Sequence, residues 1–64
     1  MFKVTHSERY VPDDSETLYD SIDAIKERYD VYSYVIDEEV SELKKGEKAY
    51  FMYDFYIDLE VERV

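Results

Sequence analysis

The chain has 64 residues, with 17 acidic side chains against 8 basic ones and a formal net charge of −9 at pH 7. It has no cysteine, which excludes disulfides and thiolate metal sites. So acidic a chain is not expected to bind DNA, RNA or an anionic membrane directly, because phosphates are engaged by Lys and Arg. Its 45% hydrophobic and 17% aromatic content nevertheless predicts a folded chain, and its length predicts one domain over residues 1–64.

Size and hydropathy also bear on location and assembly. No apolar run approaches the roughly 20 residues of a membrane-spanning helix, and the first residues read as a strand without a signal peptide. We therefore expect a soluble cytoplasmic protein. A domain of this size buries only about 60% of the surface of its unfolded chain, so its stability is expected to be marginal. Without disulfides, assembly into an oligomer is the remaining way to stabilise it.

The first predicted element is a strand over residues 2–11. Phe2 and Val4 alternate with polar residues, which is the period-two pattern of a strand with one buried side. Pro12 ends this strand, because proline has no N–H to donate to a sheet.

A helix is predicted over residues 15–29. Asp13, Asp14 and Ser15 supply side chains that can cap its first turn. Four apolar residues then recur at spacings of four, three and four, as they do on one face of a helix. They are Leu18, Ile22, Ile25 and Tyr29.

Residues 31–40 are β-branched and aromatic and predict a second strand. The segment from residue 41 to 47 contains Gly46, the single glycine of the chain. This segment is typical of a hairpin connection.

Residues 48–64 predict a third strand with two different sides. The odd positions are apolar from Ala49 to Val61, whereas the even positions carry tyrosines, a methionine and carboxylates. A strand of this length would span about 50 Å, so we expect a bend or bulge within it. The polar side is Tyr50, Met52, Asp54, Tyr56, Asp58, Glu60 and Glu62.

These elements predict an α+β fold of order β-α-β-β. The three strands would form an antiparallel-dominated sheet of order 1-3-2, with the long third strand in the centre and the helix packed on its apolar side. One helix covers only one side of a sheet, so the polar side of the third strand is predicted to be uncovered. Phe2, Val4, Leu18, Ile22, Ile25, Phe51, Tyr53, Phe55, Ile57 and Leu59 are the predicted core.

Catalysis has little support in the sequence. His6 is the only histidine, and the chain has neither a phosphate-binding glycine loop nor a recognisable nucleophile with a base beside it. The acids at 13–14 and 37–39 do not match the spacing of a calcium-binding loop. We therefore expect no enzyme activity, no cofactor and no metal site.

In its small size, strong acidity, many tyrosines and rows of carboxylates, the chain resembles the small DNA-mimic proteins of bacteriophages. The resemblance is one of composition over the whole chain and rests on no motif. It implies an inhibitor whose carboxylates replace phosphates and block the DNA-binding site of a basic host protein in a bacterial cytoplasm. Such targets are histone-like nucleoid proteins, restriction or CRISPR effectors and repair glycosylases, and some members of the class are homodimers. The residues that would bind the partner are Asp54, Asp58, Glu60, Glu62, Asp37, Glu38 and Glu39, with Tyr50 and Tyr56 as flat contacts.

A second interpretation needs no mimicry. The uncovered side of the sheet could dock apolar surface of a partner protein, as in a small structural or regulatory interaction module. Tyr50, Met52 and Tyr56 would then contribute most, since aromatic side chains are enriched in interfaces. Salt distinguishes the two interpretations, because only binding by charge complementarity weakens steeply as ionic strength rises.

Overall fold

The computed structural model describes residues 1–29 and 33–64. In these ranges the chain forms four strands and two short helices. The four strands make one sheet of order β2-β1-β4-β3, in which every neighbouring pair is antiparallel. In chain order the elements are β1 (Phe2–Glu8), β2 (Ser15–Tyr19), α1 (Ile22–Arg28), α2 (Ser33–Ser41), β3 (Lys48–Asp54) and β4 (Ile57–Arg63).

The chain is α+β, but the predicted topology is wrong. A β-α-β-β chain with a three-stranded sheet of order 1-3-2 and one helix is replaced by two hairpins, β1–β2 and β3–β4, with both helices between them. The first and last strands pair in the middle of the sheet, and the N–H of Val64 donates to the carbonyl of Met1 at 3.0 Å. This pairing joins the two ends of the chain.

The predicted helix over residues 15–29 is wrong in its first third, where β2 pairs with β1 from Phe2↔Tyr19 to His6↔Ser15. The helix begins later, and Ser21 caps it by accepting the N–H of Ala24 at 3.2 Å. Pairing with β1 overrides the local helical spacing, since the β1–β2 hairpin satisfies backbone groups on both strands. Leu18, which that spacing placed in the core, is 60% exposed.

The predicted second strand over residues 31–40 is also wrong. Residues 31–32 lie outside the described residues, and the remainder belongs to α2. Ile36 and Val40 are both buried, while the three acids between them are exposed. A spacing of four between apolar residues is one helical face, and burial of that face overrides the β propensity of the segment.

The predicted third strand is two strands, because the chain reverses at Phe55 and Tyr56. The sequence predicted only a bend or bulge, whereas the chain makes a complete hairpin turn. A register shift between Met52 and Asp54 is also present in the pairing of β3 with β4. Phe55, predicted in the core, is 68% exposed in the turn. The N–H of Phe55 donates to the Asp54 carboxylate at 2.6 Å. This hydrogen bond stabilises a turn that lacks the usual glycine or asparagine.

The core lies between the central strands and the two helices. β1, β4 and α2 each contribute two buried side chains. α1 contributes Ile25, and Tyr29, which directly follows α1, is buried beside it. The opposite side of the sheet has no helix over it in the described part of the chain. The main buried residues are Phe2, Val4, Ile25, Tyr29, Ile36, Val40, Leu59 and Val61.

Candidate protein-interaction surface

The side of the sheet that faces away from the helices is called the open face here. Register places Thr5, Glu60 and Tyr50 side by side across β1, β4 and β3, and Ser7, Asp58 and Met52 in the next row. These residues alternate along their strands with residues that are mostly buried or half-buried, so they point to the opposite side from the core. The open face consists of Lys3, Thr5, Ser7, Glu16, Leu18, Lys48, Tyr50, Met52, Asp58, Glu60 and Glu62.

The three acids that β4 places on the open face each have a cation of the same chain nearby. Lys3 Nζ lies 3.4 Å from Glu62 Oε1, and a second carboxylate, from Glu16, is 3.3 Å from the same ammonium. Hydrogen bonds with Glu16 and then with Glu62 raise the pKa of Lys3 above its ordinary value. The remaining pairs are Lys48 Nζ with Glu60 Oε1 at 3.7 Å and Arg9 Nε with Asp58 Oδ2 at 4.0 Å.

Tyr50 and Met52, on β3, are large side chains left uncovered beside these ion pairs, as is Leu18 on the opposite edge of the face. Tyr50 and Met52 are 72% and 59% exposed. Together with Thr5, Ser7 and Asp58 they surround a shallow depression of about 520 Å³. A flat ring and a flexible thioether beside a shallow depression offer contact area to a partner.

The remaining predicted partner-binding residues lie in two other places. Asp54 and Tyr56 are at the β3–β4 turn, where the Tyr56 ring packs 5.5 Å from that of Tyr10, centre to centre. Asp37, Glu38 and Glu39 are on α2, on the far side of the molecule from the open face. The nine predicted residues therefore do not form one surface.

The exposed side of the helical layer is the most acidic surface of the described residues, and the sequence did not predict it as one surface. Its acids were divided among a predicted helix, a predicted strand and a predicted connection, so no pattern grouped them. One is paired within the chain, since Lys26 Nζ donates to Asp37 Oδ2 at 2.8 Å; this bond raises the pKa of Lys26. The exposed acids are Asp20, Asp23, Glu27, Asp37, Glu38, Glu39 and Glu42, and the bases of the same segments are Lys26 and Arg28.

No protein-family model, curated protein or solved structure matches this chain. What it can do follows from its own side chains. Over the described ranges, no group of three His, Asp or Glu residues is placed to hold a metal ion. Neither of the helices there is long and apolar enough to cross a membrane.

His6 lies on the helix side of the sheet, where its ring bridges two other side chains. Its Nδ1 is 3.0 Å from the Tyr29 hydroxyl and its Nε2 is 3.3 Å from Glu8 Oε1. All three groups are satisfied when the hydroxyl donates to Nδ1 and the Nε2–H donates to the carboxylate. Burial is the main cause that raises the pKa of Tyr29 above the ordinary 10.0, so this hydroxyl keeps its proton and its role as donor.

Tyr29 makes a testable contribution to the pH dependence of stability. Below pH 10.0 it is neutral in the folded and unfolded chains and contributes fully; above 10.0 the unfolded chain loses its proton first, so stability falls. Tyr29→Phe should flatten this fall and should cost about 1 kcal/mol near neutral pH by removing the bond to His6. Urea denaturation from neutral to alkaline pH measures both effects. Tyr10→Phe, at an exposed position, is the matched control, and equal alkaline slopes for the two variants would contradict the assignment.

Proposed function

We propose that this protein is a non-enzymatic binding module that docks on a partner protein through the open face. The supporting observation is that the three β4 acids of this face each have a cation within 4.0 Å, whereas Tyr50 and Met52 are uncovered. Exposed ion pairs contribute little free energy. Uncovered aromatic and thioether side chains gain more when a partner excludes water from them.

The chemistry of the depression defines the kind of partner. Tyr50 and Met52 form its apolar side, and its lining also includes three carboxylates, those of Asp14, Asp58 and Glu60. A segment that carries an apolar side chain next to a lysine or arginine fits this arrangement, because the cation can lie near the carboxylates and against the tyrosine ring. The net charge of −9 further favours a basic partner by steering the encounter. The partner is thus expected to be a basic protein that is held mainly by apolar contact.

The test compares capture by the parent and by two double variants, one on the open face and one on α2. Each protein is immobilised and exposed to the same nuclease-treated bacterial lysate, and bound proteins are quantified. Tyr50→Ala/Met52→Ala should reduce capture of the specific partner about tenfold or more, since central aromatic contacts dominate interface energies. Glu38→Gln/Glu39→Gln should retain it, and raised salt should release little of it. A partner captured equally by the Tyr50/Met52 variant would contradict docking on the open face.

A second candidate function is favoured by the acidic side of the helical layer. Seven exposed acids accompany two bases there, so this surface could replace the phosphates of DNA in the site of a basic DNA-binding protein. The same capture experiment distinguishes this function from docking on the open face. The Glu38/Glu39 variant would then lose the partner, the Tyr50/Met52 variant would keep it, and moderate salt or excess duplex DNA would release it.

A further inference from the structure

The two helices leave part of their own side of the sheet uncovered, over β2. Ser15 and Thr17 lie opposite His6 and Val4 of β1 in register, so they face the helix side, yet both are exposed. A pocket of about 350 Å³ lies beside them, between β2, the connection that follows β1 and the end of α1. Its volume is within the range of small-molecule sites in proteins, near the lower end.

Two carboxylates line this pocket, those of Glu8 at the end of β1 and Asp13 in the connection that follows. Glu8 is positioned by two further side chains. Its Oε1 lies 3.3 Å from His6 Nε2, and His6 Nδ1 lies 3.0 Å from the Tyr29 hydroxyl. Tyr29 is only 4% exposed, so this set of contacts is anchored in the core. The second oxygen of a carboxylate held in this way can accept a hydrogen bond from an ammonium group.

Arg28, the last residue of α1, brings a positive charge to the same pocket. Its guanidinium carbon lies over the Tyr29 ring, 4.8 Å from the ring centre. A guanidinium that lies over a ring can still bind a carboxylate through the N–H groups of its edge. The pocket therefore has a cationic wall from α1 and an anionic wall from the end of β1 and its connection.

The two walls together select the chemistry of a ligand. A phosphate or another simple anion would meet the carboxylates of Glu8 and Asp13, and a simple cation would meet Arg28. Val11 is the single aliphatic side chain among the described lining residues, so an apolar ligand would bury polar groups without partners. A zwitterion gives each wall an opposite charge.

We propose that this pocket binds a free, neutral α-amino acid, with its carboxylate on Arg28 and its ammonium group at Glu8 and Asp13. Such a molecule carries both charges on one carbon and has few other atoms, which fits a small pocket with opposite charges on its walls. The hydroxyls of Ser15 and Thr17 line the β2 wall, where they can contact the amino acid side chain. This site lies on the opposite side of the sheet from the open face, so it does not depend on the proposed function.

NMR titration of the isotope-labelled protein tests for binding. L-serine, L-glutamine and L-leucine are added separately, each up to about 10 mM, which detects dissociation constants in the millimolar range. The N–H signals of β2, from Ser15 to Tyr19, should shift with at least one of the three. The N–H signal of Tyr50, on the far edge of the sheet, should not move. No shift of the β2 signals with any of the three amino acids would overturn the proposal.

Derivatives that lack one charge test the two walls separately. The N-acetyl derivative of the amino acid that binds lacks the ammonium group, and its amide derivative lacks the carboxylate. Each should bind about tenfold more weakly than the amino acid, since each loses a charge-assisted hydrogen bond. Arg28→Gln should weaken the amino acid about tenfold without weakening the amide, because the amide has no carboxylate to lose. Glu8→Gln/Asp13→Asn should weaken the amino acid without weakening the N-acetyl derivative.

Arg9→Gln is the matched control, because it makes the same substitution at an arginine that lies near Asp58, outside the pocket. It should leave the affinities for all three ligands unchanged. Arg28 is exposed, so its replacement should leave the fold intact, which thermal unfolding of each variant checks. Derivatives that bind as tightly as the amino acid, or an Arg28→Gln variant that weakens the amino acid and the amide equally, would overturn the proposal.

Discussion

Replacing Leu59 by alanine should lower the free energy of unfolding by about 2–5 kcal/mol, the range measured for fully buried leucines. Leu59 is 2% exposed and lies in the centre of the sheet against the helices. A chain of this length is expected to have a total stability of only about 3–10 kcal/mol. The variant should therefore unfold at much lower urea concentration than the parent, or be partly unfolded in buffer.

Leu18→Ala is the matched control, because it removes the same atoms from a residue that is 60% exposed. Its effect should stay within about 0.5 kcal/mol, as for surface substitutions. Urea denaturation followed by circular dichroism measures both variants, with an added osmolyte if the Leu59 variant is already unfolded. Equal losses would contradict the structure and agree with the prediction from the sequence, which places both leucines in one core.

The core positions of the central strands could be predicted from the sequence because each strand buries alternate apolar residues. Phe2 and Val4 on β1, and Leu59 on β4, were predicted in the core and are buried. Ile25 was also predicted correctly, since α1 retains the later part of the helical spacing. Strong alternation is informative where a strand has neighbours on both sides, as β1 and β4 do.

The β3–β4 connection could not be predicted, because the chain turns there without the residues that usually signal a turn. Phe55 and Tyr56 continue the apolar and aromatic alternation through the β3–β4 turn, and neither glycine, asparagine nor proline is present there. The edge strand β2 is almost wholly exposed, so its sequence has no alternation of apolar and polar residues that would indicate a strand. Without these two hairpins, the sheet order could not be deduced.

The candidate surface shows the same division between local and non-local information. Alternation alone places Tyr50, Met52, Asp58 and Glu60 on one side of the sheet, as the sequence predicted. The cations beside the acids come from other strands or connections, as when Lys3 of β1 lies opposite Glu62 of β4. Charge compensation therefore depends on strand order, which the sequence did not provide. Because these acids already have cations of the same chain nearby, we assign most of the proposed binding energy to Tyr50 and Met52 and less to the carboxylates.

The last prediction, Glu38→Pro, concerns α2, where a helix is observed and the sequence predicted a strand. Glu38 is exposed in the interior of α2. Proline there removes the N–H that bonds to the carbonyl four residues earlier and its ring clashes with that carbonyl. The free energy of unfolding should therefore fall by about 3 kcal/mol or more.

Glu38→Ala separates this backbone effect from loss of the carboxylate. It removes the same charge and should be neutral or slightly stabilising, because alanine is the best helix former. Urea denaturation of both variants gives the difference between them. An edge strand over these residues, as their composition predicts, would tolerate proline wherever its N–H faces solvent. A proline variant about as stable as the alanine variant would therefore favour the strand, whereas a large difference is the result expected for α2, whose interior needs that N–H and that space.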